Sequence, residues 1–169
     1  MKVVVSEIPD EGLDLELDER IPFQSLGAAA PVKARLRLSR SGLDVLVRGE
    51  TSGAITLQCG RCLKEFVHTV ESSLDSVYHP AETLKREDHY ELTRDELDAG
   101  FYRGDTLDID EVVSEQLLLN IPMKPLCGAD CRGICPVCGA DLNEGDCSCG
   151  AGRKDSPFDS LKELLKRKE

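Results

Sequence analysis

The sequence predicts an α+β fold: an antiparallel, barrel-like β-meander with a few helices and a cysteine-rich C-terminal segment. Three observations predict it. Val32, Ala34, Leu36 and Leu38 alternate with Lys33, Arg35 and Arg37, the period-two pattern of a strand with one buried face. Ile109, Val112, Val113, Gln116 and Leu117 recur at helical spacing behind Asp108, a capping residue with Glu111 three positions on. Eight cysteines fall into close pairs in a chain with no Trp and few aromatic residues, so cross-links are expected to supplement a modest core.

Residues 2–8 read as a strand ended by Pro9, and 12–18 as a second, half-buried strand through Leu13, Leu15 and Leu17. Residues 20–31 hold two prolines and an A-A-A run and read as a connection. The meander begins at Pro31. Its turn signals are S-R-S-G at 39–42 and T-S-G at 51–53, with Leu43, Val45, Val47, Ile55 and Leu57 in the strands between and after. Strand character resumes at Phe66 and runs toward Tyr78, so Cys59 and Cys62 are predicted to lie in a hairpin turn. Lys33, Arg35, Arg37 and Arg48 would share one sheet face, either a solvated surface or a phosphate-contacting one. Residues 81–115 carry twelve acids and four bases, the composition of a solvated surface. Pro80 to Asp88 reads as a loop and Tyr90 to Phe101 as weakly ordered. The helix near 109–120 stops at Ile121-Pro122, because a residue preceding proline is pushed out of the α region. The predicted organisation is a β-rich domain over 1–126, a cysteine segment over 127–150, and an amphipathic helix over 156–169 that starts at Ser156-Pro157 and carries Phe158, Leu161, Leu164 and Leu165 on one face.

The cysteines form the pairs Cys59/Cys62, Cys127/Cys131, Cys135/Cys138 and Cys147/Cys149. Four pairs are what two tetrahedral four-thiolate zinc sites need, so the segment over 127–150 is expected to bind zinc. A disulfide framework needs an oxidising compartment, and M-K-V-V-V-S-E-I-P-D-E turns acidic before any signal-peptide core forms. A redox C-x-x-C usually opens a helix in a βαβ unit, a context neither C-x-x-C has. C-P-V-C-G at 135–139 reads as a zinc knuckle whose glycine accepts a positive φ. Cys147 and Cys149 follow a short loop containing Asn143, Glu144 and Gly145, and must bend at or near Gly150 to face one ion.

Two groupings are open. The preferred one joins Cys59, Cys62, Cys127 and Cys131, and separately Cys135, Cys138, Cys147 and Cys149. Lengthening a loop from about 8 to about 64 residues adds only ~2 kcal/mol of closure entropy, against roughly 10–16 kcal/mol from a structural zinc. The alternative groups Cys127, Cys131, Cys135 and Cys138, with only Arg132, Gly133 and Ile134 between two ligand pairs.

The formal charge of −11 argues against bulk attraction to nucleic acid, and no apolar run approaches the ~20 residues of a membrane span. His68, His79 and His89 are scattered, and neither a phosphate loop nor a nucleophile elbow is present. Closed four-cysteine sites lack the open position a catalytic zinc keeps. The chain is therefore expected to be cytoplasmic, to span no membrane, to take no small-molecule substrate and not to be an enzyme.

Several stretches taken together resemble one family. They are L-Q-C-G-R-C-L at 57–63, the acidic middle, V-V-S-E-Q-L-L-L-N-I-P-M-K-P-L-C ending at Cys127, C-R-G-I-C-P-V-C-G-A-D-L-N with its trailing C-x-C, and the final P-F-D-S-L-K-E-L-L. From about residue 43 onward the chain is similar to the YceD family of large ribosomal RNA subunit accumulation proteins. The resemblance implies a non-catalytic accessory factor in ribosome biogenesis that supports synthesis, processing or stability of 23S ribosomal RNA. Its expected partner is precursor ribosomal RNA or a basic ribosomal protein. Some members lack the C-terminal cysteines, which would make the second zinc a separable reinforcement. Two other readings use the same cysteines: a zinc-thiolate redox sensor or chaperone, activated by Arg61, Lys64 and Arg132 near the thiols, and a zinc-ribbon adaptor of transcription.

Overall fold

The computed structural model describes residues 1–83 and 99–149. Within them the elements are β1 (Lys2–Val4), β2 (Leu13–Phe23), β3 (Ala28–Ser41), β4 (Asp44–Gln58), β5 (Glu65–Pro80), β6 (Gly100–Tyr102), β7 (Thr106–Asp108) and α1 (Ile109–Leu119), with three single-turn 3-10 helices. The expected meander is present. β2, β3, β4 and β5 pair antiparallel in chain order, β6 adds to β5 in parallel, and β1 and β7 form a separate antiparallel pair.

The sheet is open, which corrects the barrel-like expectation. A barrel must bring its two edge strands together. Here the edges are the long β2 and the three-residue β6, and they do not pair. Burial of the apolar face falls instead to α1. Ile109, Val113 and Leu117 are fully buried, in one core with Val32, Leu36, Leu38, Val47, Ile55 and Leu74 of the sheet. The approach is close at Gly53, where a Cβ would sit 3.0 Å from Leu117 Cδ1. The helix begins as the sequence predicts, with the Asp108 carboxylate accepting from the Asp110 N–H. It ends at Leu119, ahead of Pro122.

Other boundaries differ. The first strand is only Lys2–Val4, and Val5–Glu7 form a 3-10 turn that buries Val5. The predicted connection over 20–31 is largely strand: β2 runs to Phe23 and β3 starts at Ala28. Both prolines are tolerated because neither interrupts an interior ladder. Pro22 lies on the edge strand, and Pro31 sits one residue before the β3–β4 ladder begins at Val32↔Gly53. T-S-G at 51–53 lies inside β4. Leu43 belongs to the two-residue turn between Ser41 and Asp44, with Gly42 at φ +65°. Phe101, expected in weakly ordered chain, belongs to β6, which lies alongside β5 because Gly100 has no Cβ to strike the Tyr78 ring. The predicted terminal helix over 156–169, the bend at Gly150 and most of the acidic stretch lie outside the described residues.

Lys33, Arg35, Arg37 and Arg48 do share the outer sheet face, but the register matches them with acids. Asp18, Glu16 and Asp14 lie directly opposite Lys33, Arg35 and Arg37, at 3.3, 3.6 and 2.9 Å. Arg48 meets Asp75 at 3.0 Å. No described helix is long and apolar enough to cross a membrane.

Candidate metal centres

The β4–β5 hairpin ends in the loop 59–64, so two thiols project from a turn that the sheet holds rigid. Its backbone folds as a knuckle. Leu63 N–H donates to Cys59 O at 3.0 Å, Cys59 N–H to Lys64 O at 2.9 Å, and Arg61 N–H points at Cys59 Sγ at 3.5 Å. Residues 135–140 repeat the construction. Gly139 N–H donates to Cys135 O at 2.9 Å, Cys135 N–H to Ala140 O at 2.8 Å, and Val137 N–H points at Cys135 Sγ at 3.4 Å. Both knuckles need a left-handed residue after the second cysteine. In the second it is Gly139 at φ +73°; in the first it is Leu63 at φ +62°, the only non-glycine residue described with positive φ.

Two four-thiol clusters result. Cys59, Cys62, Cys127 and Cys131 have sulfurs all within 4.8 Å of one another, and so do Cys135, Cys138, Cys147 and Cys149. In the first, Cys59 Sγ lies 3.8 Å from Cys131 Sγ and Cys62 Sγ lies 3.6 Å from Cys127 Sγ. A disulfide would need about 2.05 Å, and all eight thiols are free. A tetrahedron of thiolates around one ion at ~2.3 Å has edges of about 3.8 Å, so the spacing and the all-sulfur donor set fit a thiophilic divalent ion. The clusters follow the preferred grouping; the alternative would separate Cys59 and Cys62 from Cys127 and Cys131. No histidine joins either cluster among the described residues: His68 lies on β5 opposite Ile55, and His79 Nδ1 is 2.5 Å from Asp44 Oδ1.

The electrostatics within each cluster are uneven. Backbone N–H groups, that of Cys62 above all, bring the Cys59 thiol down to about 6, with burial opposing them. The N–H groups of Cys138 and Val137 likewise bring Cys135 to about 6. The neighbouring sulfurs, Cys131 first, push Cys127 up to about 12, and Cys138 does the same to Cys149. Four crowded sulfurs cannot all ionise beside one another unless a cation compensates them.

The second and third cysteine pairs are brought to the hairpin by polar contacts that the sequence reading missed. Gly60 N–H donates to Pro125 O at 2.8 Å, Arg61 Nη1 to Cys131 O at 2.8 Å, and Ile134 N–H to Arg61 O at 3.2 Å. Lys64 Nζ lies 2.8 Å from Asp141 and 2.5 Å from Glu144. These two carboxylates raise the lysine's pKa, and Lys64 in turn holds the Asp141 carboxyl below its ordinary range. Asn143 Nδ2 lies 3.6 Å from Cys131 Sγ. Arg132 is paired with Asp146. The three cations that a thiol-activating reading requires are thus engaged with carboxylates and carbonyls. The available signal was the D-L-N-E run between two ligand pairs, acidic residues that need a cation partner somewhere.

The family model described as large ribosomal RNA subunit accumulation protein YceD matches residues 47–165. The chain is 28% identical over 107 residues to an uncharacterized protein of Mycobacterium leprae, covering 63% of this chain and 46% of that protein. It is 27% identical over 127 residues to an uncharacterized protein of Mycobacterium tuberculosis, covering 75% and 51%. It is also 26% identical over 171 residues to the chloroplastic large ribosomal RNA subunit accumulation protein YCED homolog 1 of Arabidopsis thaliana, covering 82% and 51%. The chain thus spans about half the length of the curated relatives it matches. No solved structure matches it. The match takes in most of β4, all of β5 and α1 and both thiol clusters, and the chain belongs to the YceD family.

Proposed function

We propose that the chain is a non-catalytic, zinc-stabilised accessory factor of ribosome biogenesis that supports accumulation of large-subunit ribosomal RNA. The family match over residues 47–165 carries this reading, and the shared name of the Arabidopsis relative supports it. Zinc is the ion the donors suit best: four thiolates in a tetrahedron, with no oxygen ligand and no position left open for substrate. When bound, it supplies a cross-link between the β4–β5 hairpin and the segment after Pro125. The residues of the chain orient the sulfurs through knuckle N–H groups and exclude water by burying Cys59, Cys62, Cys131 and Cys135.

Of the two partners considered, a basic ribosomal protein fits the charge better than naked RNA. The chain carries −11 overall, and Lys33, Arg35, Arg37 and Arg48 of the outer sheet face are each matched by a carboxylate. Phosphate binding needs a surplus of Lys and Arg that this face lacks. Action in the cytoplasm is part of the same proposal.

Depletion of the protein is expected to lower mature 23S relative to 16S ribosomal RNA; an unchanged ratio contradicts the proposal. Copurification of a basic ribosomal protein that survives ribonuclease treatment is expected, whereas loss of all partners on digestion would favour direct contact with RNA.

A further inference from the structure

The two thiol clusters are joined by a loop that belongs to one of them and touches a ligand of the other. Residues 139–146 are closed at both ends by ligands of the second cluster, Cys138 and Cys147. Within this loop the Asp141 carboxylate accepts from Asn143 N–H at 2.8 Å and from Asn143 Nδ2 at 2.7 Å. The Asn143 side chain is thereby aimed at the first cluster. Its Oδ1 accepts from Arg132 N–H at 2.7 Å, and its Nδ2 lies 3.6 Å from Cys131 Sγ. One amide therefore meets a first-cluster sulfur and the peptide that follows it. The loop is seated by Leu142 N–H on Gly133 O at 2.9 Å and by Lys64, from the first knuckle, on Asp141 and Glu144.

We propose that the two metal centres are thermodynamically coupled, with Asn143 as the positioning residue: filling the second cluster holds the 139–146 loop and so raises the affinity of the first for its ion. This rests on the reading that both clusters hold metal. The physical basis is the N–H···S bond, which withdraws charge from a ligand sulfur and fixes its direction. Partners of this outer kind commonly carry 10–100-fold in metal affinity. The loop supplies the donor only while its ends are held, and the strongest constraint on those ends is the ion that Cys138 and Cys147 share. Coupling of this kind is reciprocal, so the first ion must favour the second by the same factor. The family resemblance had suggested a separable second site; the contacts of Asn143, Lys64 and Asp141 argue that the two sites act together.

The test uses the full chain and zinc alone, at a series of buffered free zinc concentrations. Cysteine-resolved alkylation read by mass spectrometry scores each cluster separately. Emptying the second cluster with the double substitution Cys147→Ser and Cys149→Ser is expected to lower first-cluster affinity roughly 10–100-fold. Asn143→Ala is expected to lower it by a similar factor while zinc still reaches two per chain at saturation. Adding Asn143→Ala to the double-serine chain should then change little, because the same contact is already lost. First-cluster affinity within about twofold of the parent in the double-serine chain, well below ordinary coupling factors, overturns the proposal. If that chain does not fold, Asn143→Ala, which keeps all eight thiols, decides the matter by the same criterion. A parent chain that binds no zinc overturns the metal reading itself, an outcome distinct from two independent sites.

Discussion

Leu63 and Gly139 occupy the same position of two equivalent knuckles, and their side chains make opposite demands on it. A left-handed conformation costs an L-residue roughly 1–2 kcal/mol, and Leu63 is 53% exposed, so it recovers little by packing. Leu63→Gly is expected to stabilise the zinc-loaded protein by about 1 kcal/mol, the strain relieved outweighing the added freedom of the unfolded chain. Gly139→Ala should cost about 1–2 kcal/mol; a Cβ there meets nothing within 4 Å, so the penalty is backbone strain alone. Denaturant unfolding of the two variants checks the opposite signs. At Tyr78, burial first, and then the carboxylates of Glu115 and Glu111, push the phenol up to about 12. A phenol whose folded pKa is raised contributes stability that is complete below its unfolded value near 10 and is lost as pH rises toward 12. Stability is therefore expected to fall between about pH 10 and 12, and Tyr78→Phe to flatten that part of the profile, read from unfolding free energy against pH.

The helix and the hairpin were the most legible elements, and each shows where legibility stops. Asp108 announced the start of α1, and apolar spacing announced its buried face. The chain over 20–31 reads as a connection only if each proline breaks a strand, whereas at a sheet edge or beyond a ladder's end its missing N–H costs nothing. The seat of α1 was not readable at all, since a glycine in a strand does not say what approaches it. Gly53 admits Leu117, and Leu117 is fully buried. Leu117→Ala should destabilise by about 2–5 kcal/mol through the cavity it leaves. Gly53→Val should destabilise as well, by forcing the helix off the sheet. Urea titrations monitored by far-ultraviolet circular dichroism read these losses, which are distinct from an effect on the clusters because both residues pack within the main core, which holds no cysteine.

Across the whole molecule, the packed core and the cysteine lobe form two clusters that share only the half-buried Phe66. The main core holds Val5 to Leu117 and no cysteine, while Cys59, Cys62 and Cys131 form their own cluster with Phe66 and Leu126. Stripping the metal with a strong chelator is therefore expected to loosen the chain from Leu126 to Cys149 and leave the meander folded. Hydrogen exchange should show rapid exchange across 126–149 with protection retained in β3 and β4. Global loss of protection would mean that the thiol clusters, rather than α1, hold the sheet together.

What could be read before any folding is what short stretches of chain dictate: alternation along strands, the cap and stripe of α1, and the pairing of eight thiols into knuckle-sized groups. Those follow from side-chain direction over two to four residues. Three things depended on approach through space. Cys59 meets Cys131 across 72 positions, and because closure entropy rises only with the logarithm of loop length, spacing alone could not choose the foursomes. The open sheet depended on whether two edges met or a helix covered the face. The ion pairing of the outer surface depended on register, since one residue of slip would have turned Asp14, Glu16 and Asp18 away from Arg37, Arg35 and Lys33.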